Sequence, residues 1–201
     1  MSISAAPDTL GTSRERAKAQ RRSDILHAAA DLFAERGFER VSLEDLGAAV
    51  GISGPAVYRH FASKQSVLAA LLIDVSRDLL AGGDAVVDSS AAAETKLREL
   101  IAFHVEFALG NADVIVVQDR DINSLAPEDH ATVRSLQRSY IEAWVSVLSA
   151  IHPDIPLAGL RIRARATFGL INSTPHSART APKASVRTLL ESMALAALTS
   201  A

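Results

Sequence analysis

Tyr58, Arg59, His60 and Lys64 fall within seven positions and are the side chains of this chain best suited to gripping a polyanion. The Arg59 guanidinium can fork onto guanine O6 and N7, and Pro55 and Ala56 just before it offer small apolar contacts to a thymine methyl. A phenol at Tyr58 and an imidazole at His60 can donate to phosphate oxygens, while Lys64, directly after the cap residue Ser63, adds charge at a helix start, where anions are favoured. Each alone is an ordinary solvated rim residue; their grouping is what points to nucleic acid. Upstream, Arg14, Arg16, Lys18, Arg21 and Arg22 stand against Glu15 alone, in a chain of formal net charge −2. The positive charge is therefore local. Such an arm can reach the minor groove or neighbouring phosphates, with a contribution that falls steeply as salt rises. Residues 1–13, rich in Ser, Ala and Thr, read equally as a disordered soluble tail.

Two short capped helices must position these groups. Ser42 N-caps the first, with Asp45 three residues on to close a capping box and Val41 and Leu46 placed as a hydrophobic staple. Gly51 can end that helix in the left-handed conformation, so the chain turns through Gly51, Ile52 and Ser53. Ser53 then caps the second helix, Pro55 sits in its first turn, and Ile52 can staple to Val57. With Val57 and Phe61 facing a small core, steps of about 100° per residue put Pro55, Ala56 and Arg59 on the opposite face. Helices this short need a third. Ile25, Ala29, Leu32 and Phe33 supply its apolar face, ending at Gly37.

The hydroxyl at Ser42, the Leu46-Gly47 pair, Val50-Gly51-Ile52-Ser53, and then Tyr58-x-His60-Phe61-x-x-Lys64 resemble the DNA-binding signature of the tetracycline-repressor (TetR) family. The likeness covers about a quarter of the chain, Ile25 to Lys64. It departs from the family at Gly47, where alanine is preferred, and at Ser42, where threonine is usual. The resemblance implies that Ser42, Tyr58, His60 and Lys64 hold phosphates while Gly54, Pro55, Ala56 and Arg59 lie against bases. It implies an all-α chain: a flexible basic arm (1–19), a three-helix helix-turn-helix domain (20–64) and a helical ligand-binding and dimerisation domain (65–201), about nine helices in all.

Composition agrees with a globular protein, at 48% hydrophobic and 22% charged residues. No run of about 18 apolar residues is present to span a membrane and no apolar leader opens the chain, so a cytoplasmic location is expected. The absence of cysteine removes disulfides, thiolate metal sites and a thiol nucleophile. Beyond residue 64 the pattern is helical, with loops at Gly82-Gly83, Gly110-Asn111, Ser124 to Pro127, Pro153 to Pro156 and Ser173 to Pro182. A long helix runs from Ser63 to about Ala81. Val114 to Val117 has strand propensity, and the resemblance alone makes it helical.

Leu97, Leu100, Ile101, His104, Phe107 and Ala108 share one helical face, and Val133, Gln137, Tyr140, Trp144 and Leu148 share another. His104 and Gln137 are polar members of apolar stripes, so each has a partner inside the core or borders a cavity holding water or ligand. Together with Phe103, Tyr140, Trp144 and Phe168 they can line an elongated pocket for an apolar body with a polar end, such as a fatty acyl or lipid-like molecule. Arg120, Arg134 and Arg138 are near enough in sequence to meet an anionic head group. Asp119-Arg120-Asp121 reads as a helix-end charge run, and no metal-ligand or cofactor spacing stands out. The last two helices are rich in small residues. Leu160, Phe168, Val186, Leu189, Leu190, Met193 and Ala197 form a stripe that either folds onto its own core or, as the resemblance implies, pairs with a second copy in a four-helix interface.

Three function classes follow. The first is a dimeric regulator, in this family most often a repressor, released from a palindromic operator by a small molecule. The second is a DNA-binding protein of the same fold without a ligand. The third, an enzyme on a helical bundle, is opposed by the lack of a cysteine nucleophile, of H-E-x-x-H or G-x-S-x-G, and of a glycine-rich phosphate loop.

Overall fold

The computed structural model describes residues 13–177 and 181–200, and among these all regular structure is helical. Residues 13–19, expected as a flexible arm, are instead the opening of α1 (Ser13–Arg36). Arg, Glu, Ala, Lys and Gln fill these positions, all strong helix formers, and Gln20 Nε2 donates to Asp24 Oδ1 one turn on at 2.9 Å. The earlier part of the arm lies outside the described residues.

Gly37, at φ +88°, ends α1 and leads through a 3-10 turn (Phe38–Arg40) into α2 (Leu43–Ala49) and α3 (Gly54–Val57). There follow α4 (Lys64–Val87), α5 (Ala93–Gly110), α6 (Ala112–Asp121), a second 3-10 turn (Ile122–Ser124) and α7 (Pro127–Ile151). The chain continues through α8 (Leu157–Ile171), the single turn α9 (Thr174–Ser177) and α10 (Lys183–Thr199). No single helix among the described residues is long and apolar enough to cross a membrane.

Two cores form. Ile25, Ala29 and Phe33 of α1 meet Leu46, Val57 and Phe61, and the amino-terminal half of α4 closes this first core with Val67, Leu68 and Leu72. The second joins Leu97, Leu100 and Ile101 of α5 to Trp144 and Leu148 of α7, Leu160 and Ala164 of α8, and Leu190 and Leu198 of α10. Between them lies α6, with Val114 and Val117 in the first core and Ile115 in the second. Burial on both sides explains why a β-branched run is helical: the propensity penalty is at most ~0.7 kcal/mol per residue, and each buried valine or isoleucine regains ~1.5–3 kcal/mol.

The Gly82-Gly83 pair, expected as a loop, lies inside α4, which runs six residues past Ala81. These glycines make room for rings. A Cβ on Gly82 would stand 2.1 Å from Phe103 Cζ, and one on Gly83 2.6 Å from Tyr140 Cε2. Tyr140 is buried and hydrogen-bonded, so its ring cannot retreat easily. Gly83→Ala is therefore expected to lower stability by ~1–3 kcal/mol net of the helix propensity alanine brings. Denaturant unfolding checks this; a stabilised variant would refute the ring-seat reading.

Candidate nucleic-acid interface and core cavity

The turn between α2 and α3 is built as its residues suggest. Asp45 N donates to Ser42 Oγ (3.1 Å) and Ser42 N to Asp45 Oδ2 (2.8 Å), completing the capping box. Hydrogen bonds from the Ser42 hydroxyl and then its backbone N–H hold the Asp45 carboxyl below its ordinary range. Gly51 takes φ +69°, and Ile52 N donates back to the Gly47 carbonyl at 2.9 Å. Gly47 has a steric reason: a Cβ there would stand 2.8 Å from the Ile52 carbonyl oxygen and 3.2 Å from Val57 Cγ2. Ser53 occupies the cap position of α3, but its side chain makes no capping hydrogen bond, contrary to expectation.

Pro55, Tyr58 and Arg59 are exposed, and Tyr58, at 54%, is a large aromatic left in solvent. Gly54 and Ala56 are not on that face. Both are buried, because α3 is only four residues long and lies tightly on α2, with Glu44 covering Gly54. Of the four residues expected against bases, Pro55 and Arg59 are the ones left exposed. Ser42 is exposed, its hydroxyl proton directed at Asp45 Oδ2 (2.7 Å). Lys64 donates to the Phe38 and Glu39 carbonyls (2.8 and 3.1 Å) and sits 4.4 Å from the centre of the Phe38 ring, fastening the turn before α2. The cations of α1 divide similarly. Arg21 donates to the Val50 carbonyl (3.1 Å), and Arg22 pairs with Asp74 of α4 (2.8 Å) over the Phe61 ring. Arg14, Arg16 and Lys18 lie on the exposed opening turns.

His60 is half-buried with Nδ1 lacking a protein partner. Burial, reinforced by the charges of Lys18, Arg59 and Arg21, pushes its pKa below the ordinary value. These cations converge on one place.

Ser76 and Leu79 (α4), His104 (α5), Gln118 (α6), Gln137, Tyr140 and Ile141 (α7) and Arg165, Phe168 and Asn172 (α8 and its end) line a cavity of about 210 Å³. His104 is fully buried. Its Nε2 lies 3.2 Å from Asn172 Oδ1, an acceptor, so Nε2 carries the proton and Nδ1 accepts from the Tyr140 hydroxyl, also at 3.2 Å. Phe168 stacks on the imidazole at 4.7 Å, and Trp144 meets Phe168 edge-on at 5.0 Å. Burial drives the His104 pKa down to about 4, against a smaller upward pull from Asn172, and burial also raises Tyr140. His104, Gln137, Tyr140 and Phe168 are thus brought together at the cavity. Phe103, Phe107 and Trp144 are not in its wall: Phe103 is seated on Gly82, while Phe107 and Trp144 pack behind His104. Arg120 lies elsewhere, bonded to α1 and Asp121, and Arg134 and Arg138 are exposed outside the lining. The sequence reading missed Arg165 and Asn172, which stand at i−3 and i+4 of Phe168; that helical spacing was the available signal.

On the outer face of α8 and α10, Ile162, Leu189 and Met193 are exposed at 68%, 59% and 43%. Leu160 and Leu190, expected in an interface, are buried in their own core. Val186 is half-buried against that core, and Ala197 is exposed.

A capped helix-turn-helix with exposed cations, followed by a second helical domain enclosing a polar-lined cavity, defines a two-domain DNA-binding regulator. Residues 25–71 match the profile of bacterial regulatory proteins of the tetR family, and residues 90–176 match that of the tetracyclin repressor-like C-terminal domain. Over 146 residues the chain is 31% identical to the HTH-type transcriptional repressor KstR2 of Rhodococcus jostii (strain RHA1), spanning 72% of this chain and 69% of that protein. The chain belongs to the TetR family of transcriptional regulators. Its fold is that of a TetR-family regulator from Bordetella parapertussis 12822, at TM-score 0.79 and 24% identity over 88% of this chain and 93% of that one. The structure of ketosteroid transcriptional regulator KstR2 of Mycobacterium tuberculosis is similar at TM-score 0.73 and 25% identity, over 87% and 93%.

Two pH effects follow. A phosphate beside His60 would raise its lowered pKa, so DNA binding would take up a proton; affinity is expected to rise as pH falls through the His60 pKa of the bound state, by at most tenfold per unit. His60→Gln should flatten that slope in DNA-binding anisotropy titrations, and an unchanged slope would remove the phosphate role. His104 works in the opposite direction. The native state keeps it neutral while the unfolded chain protonates below pH 6.5, so its contribution is complete above that pH, is lost as pH falls, and levels below about 4. The loss is about 3 kcal/mol, read as the difference in acid sensitivity of unfolding between the native protein and His104→Gln.

Proposed function

We propose that the protein is a dimeric, cytoplasmic repressor that binds a palindromic operator and leaves it when a small molecule fills the cavity ringed by α4 to α8. The observation that carries this reading is the placement of α6. Gln118 lines the cavity, and two residues later Arg120 donates to the Phe33 and Ala34 carbonyls at the end of α1. A ligand that bears on α6 therefore bears on the DNA-binding domain, and it acts only through its differential affinity for the two arrangements. Repression is supported by the named activity of KstR2, with which two thirds of that protein's length is shared. Dimerisation through α8 and α10 is supported by Ile162, Leu189 and Met193, which expose apolar surface in two helices that lie side by side. Two recognition helices related by a two-fold axis read inverted half-sites.

The purified protein is offered random DNA at near-physiological salt, and the retained sequences are read for symmetry. A palindrome is expected. Arg59→Ala should relax the preference at one position per half-site, worth about 1–3 kcal/mol, whereas Tyr58→Ala should weaken all sequences alike. Uniform loss from Arg59→Ala would overturn its readout role, and asymmetric or sequence-blind retention would overturn the dimeric operator reading.

A further inference from the structure

The cavity carries a guanidinium and amides whose hydrogen-bonding groups are not filled by any of the described residues. Arg161 takes both oxygens of Glu142, at 2.7 and 2.8 Å, so that carboxylate is already engaged. Arg165, one turn along α8 and in the cavity wall, has no hydrogen bond or ion pair among the described residues. The same holds for Gln118 and Gln137. Arg165 feels the Glu142 charge at a distance, but a guanidinium whose N–H groups make no hydrogen bond, beside amides in the same state, recognises a carboxylate, which accepts from both. The remaining wall is apolar and aromatic: Phe168, backed by the stacked His104 imidazole, with Leu79 and Ile141.

Size narrows the choice further. At the density of an organic crystal, roughly 20 Å³ per non-hydrogen atom, about 210 Å³ admits about ten such atoms. A long acyl chain or a fused four-ring skeleton needs about twice that number. Phe103 and Trp144, expected along an elongated lipid-sized pocket, are packed into the protein and do not extend this cavity.

We propose that the cavity binds a compact carboxylate carried on a single ring, its carboxylate on Arg165 and Gln137 and its ring against Phe168. This ligand class rests on the ligand-released repressor reading above only in making the bound acid the effector. The carboxylate gives the site its selectivity for an anion, and the stacked wall gives it a preference for a flat body over a flexible chain.

The test uses full-length protein titrated with benzoate, with benzamide as its uncharged counterpart and with palmitate. The readout is the fluorescence of Trp144, the one tryptophan, edge-on to Phe168. Benzoate is expected to give a saturable response. Arg165→Gln should weaken benzoate at least tenfold and leave benzamide within twofold; Arg165 is exposed, and a thermal melt verifies that the variant is folded. Absence of saturation by benzoate, equal binding of benzamide, or indifference to Arg165→Gln would overturn the proposal. Operator release is followed in the same samples. Palmitate-driven release without benzoate binding would keep the repressor reading and remove this ligand class. Arg165-dependent benzoate binding with the operator still held would support the site's chemistry and remove the release reading.

Discussion

Arg120 ties the two domains at the carboxyl end of α1, where the Phe33 carbonyl also accepts from Gly37 N at 2.8 Å. The last carbonyls of a helix have no partner within it, and a cation there meets both their lone pairs and the negative end of the helix dipole. Arg120 serves the Phe33 and Ala34 carbonyls while the largely buried Asp121 carboxylate holds the guanidinium from behind at 2.9 Å. The hydrogen bonds Arg120 donates to Asp121 keep the Arg120 pKa above its ordinary value, against a smaller effect of burial. α6 is thereby bonded directly to α1, the helix that packs behind α2 and α3. A second tie runs from Arg22 of α1 to Asp74 of α4, so α1 is held to the larger domain through both of its halves.

This arrangement gives α6 a double character that its composition disguises. Val114 and Val117 belong to the DNA-binding core and Ile115 to the larger one, so the helix cannot shift without disturbing packing on both sides. Packed interfaces respond to such disturbance by moving between discrete arrangements rather than deforming smoothly. On the proposed reading, the ligand's contacts with Gln118 are converted into a choice between two seats for α1.

The helix-turn-helix was legible because its signals are local. Ser42 with Asp45, Gly51 at the turn and Pro55 after Ser53 act through hydrogen bonds and torsions within a few residues, and all but the Ser53 cap take the expected form. What failed depended on distant partners. Gly82 and Gly83 resemble loop punctuation until Phe103 and Tyr140 are seen lying on them. Leu160 and Leu190 look like interface residues until the bundle closes over them; Ala56 lies on the outer face of an ideal helical wheel but not of a four-residue helix pressed against α2, and Gly54, set against bases by the resemblance alone, is buried beside it. The pocket was half legible. His104 and Gln137 stood out as polar intruders on apolar stripes, whereas Arg165 looked like any surface arginine because its place in the cavity wall depends on how α8 packs against α4 to α7.

The clamp at Arg120 does not act unopposed. Asp113, in the first turn of α6, has its carboxyl pKa raised by burial and then by the charge of Asp31 on α1. The same two helices are thus drawn together by a guanidinium on two carbonyls and pushed apart by two carboxylates. The repulsion subtracts from the Arg120 bonds and the shared burial of Val114 and Val117, so the joint is held by less than the sum of its favourable contacts. On the proposed reading, a ligand of about ten atoms shifts this joint through its differential binding to the two arrangements, and it need not overcome the full cohesion of the two cores.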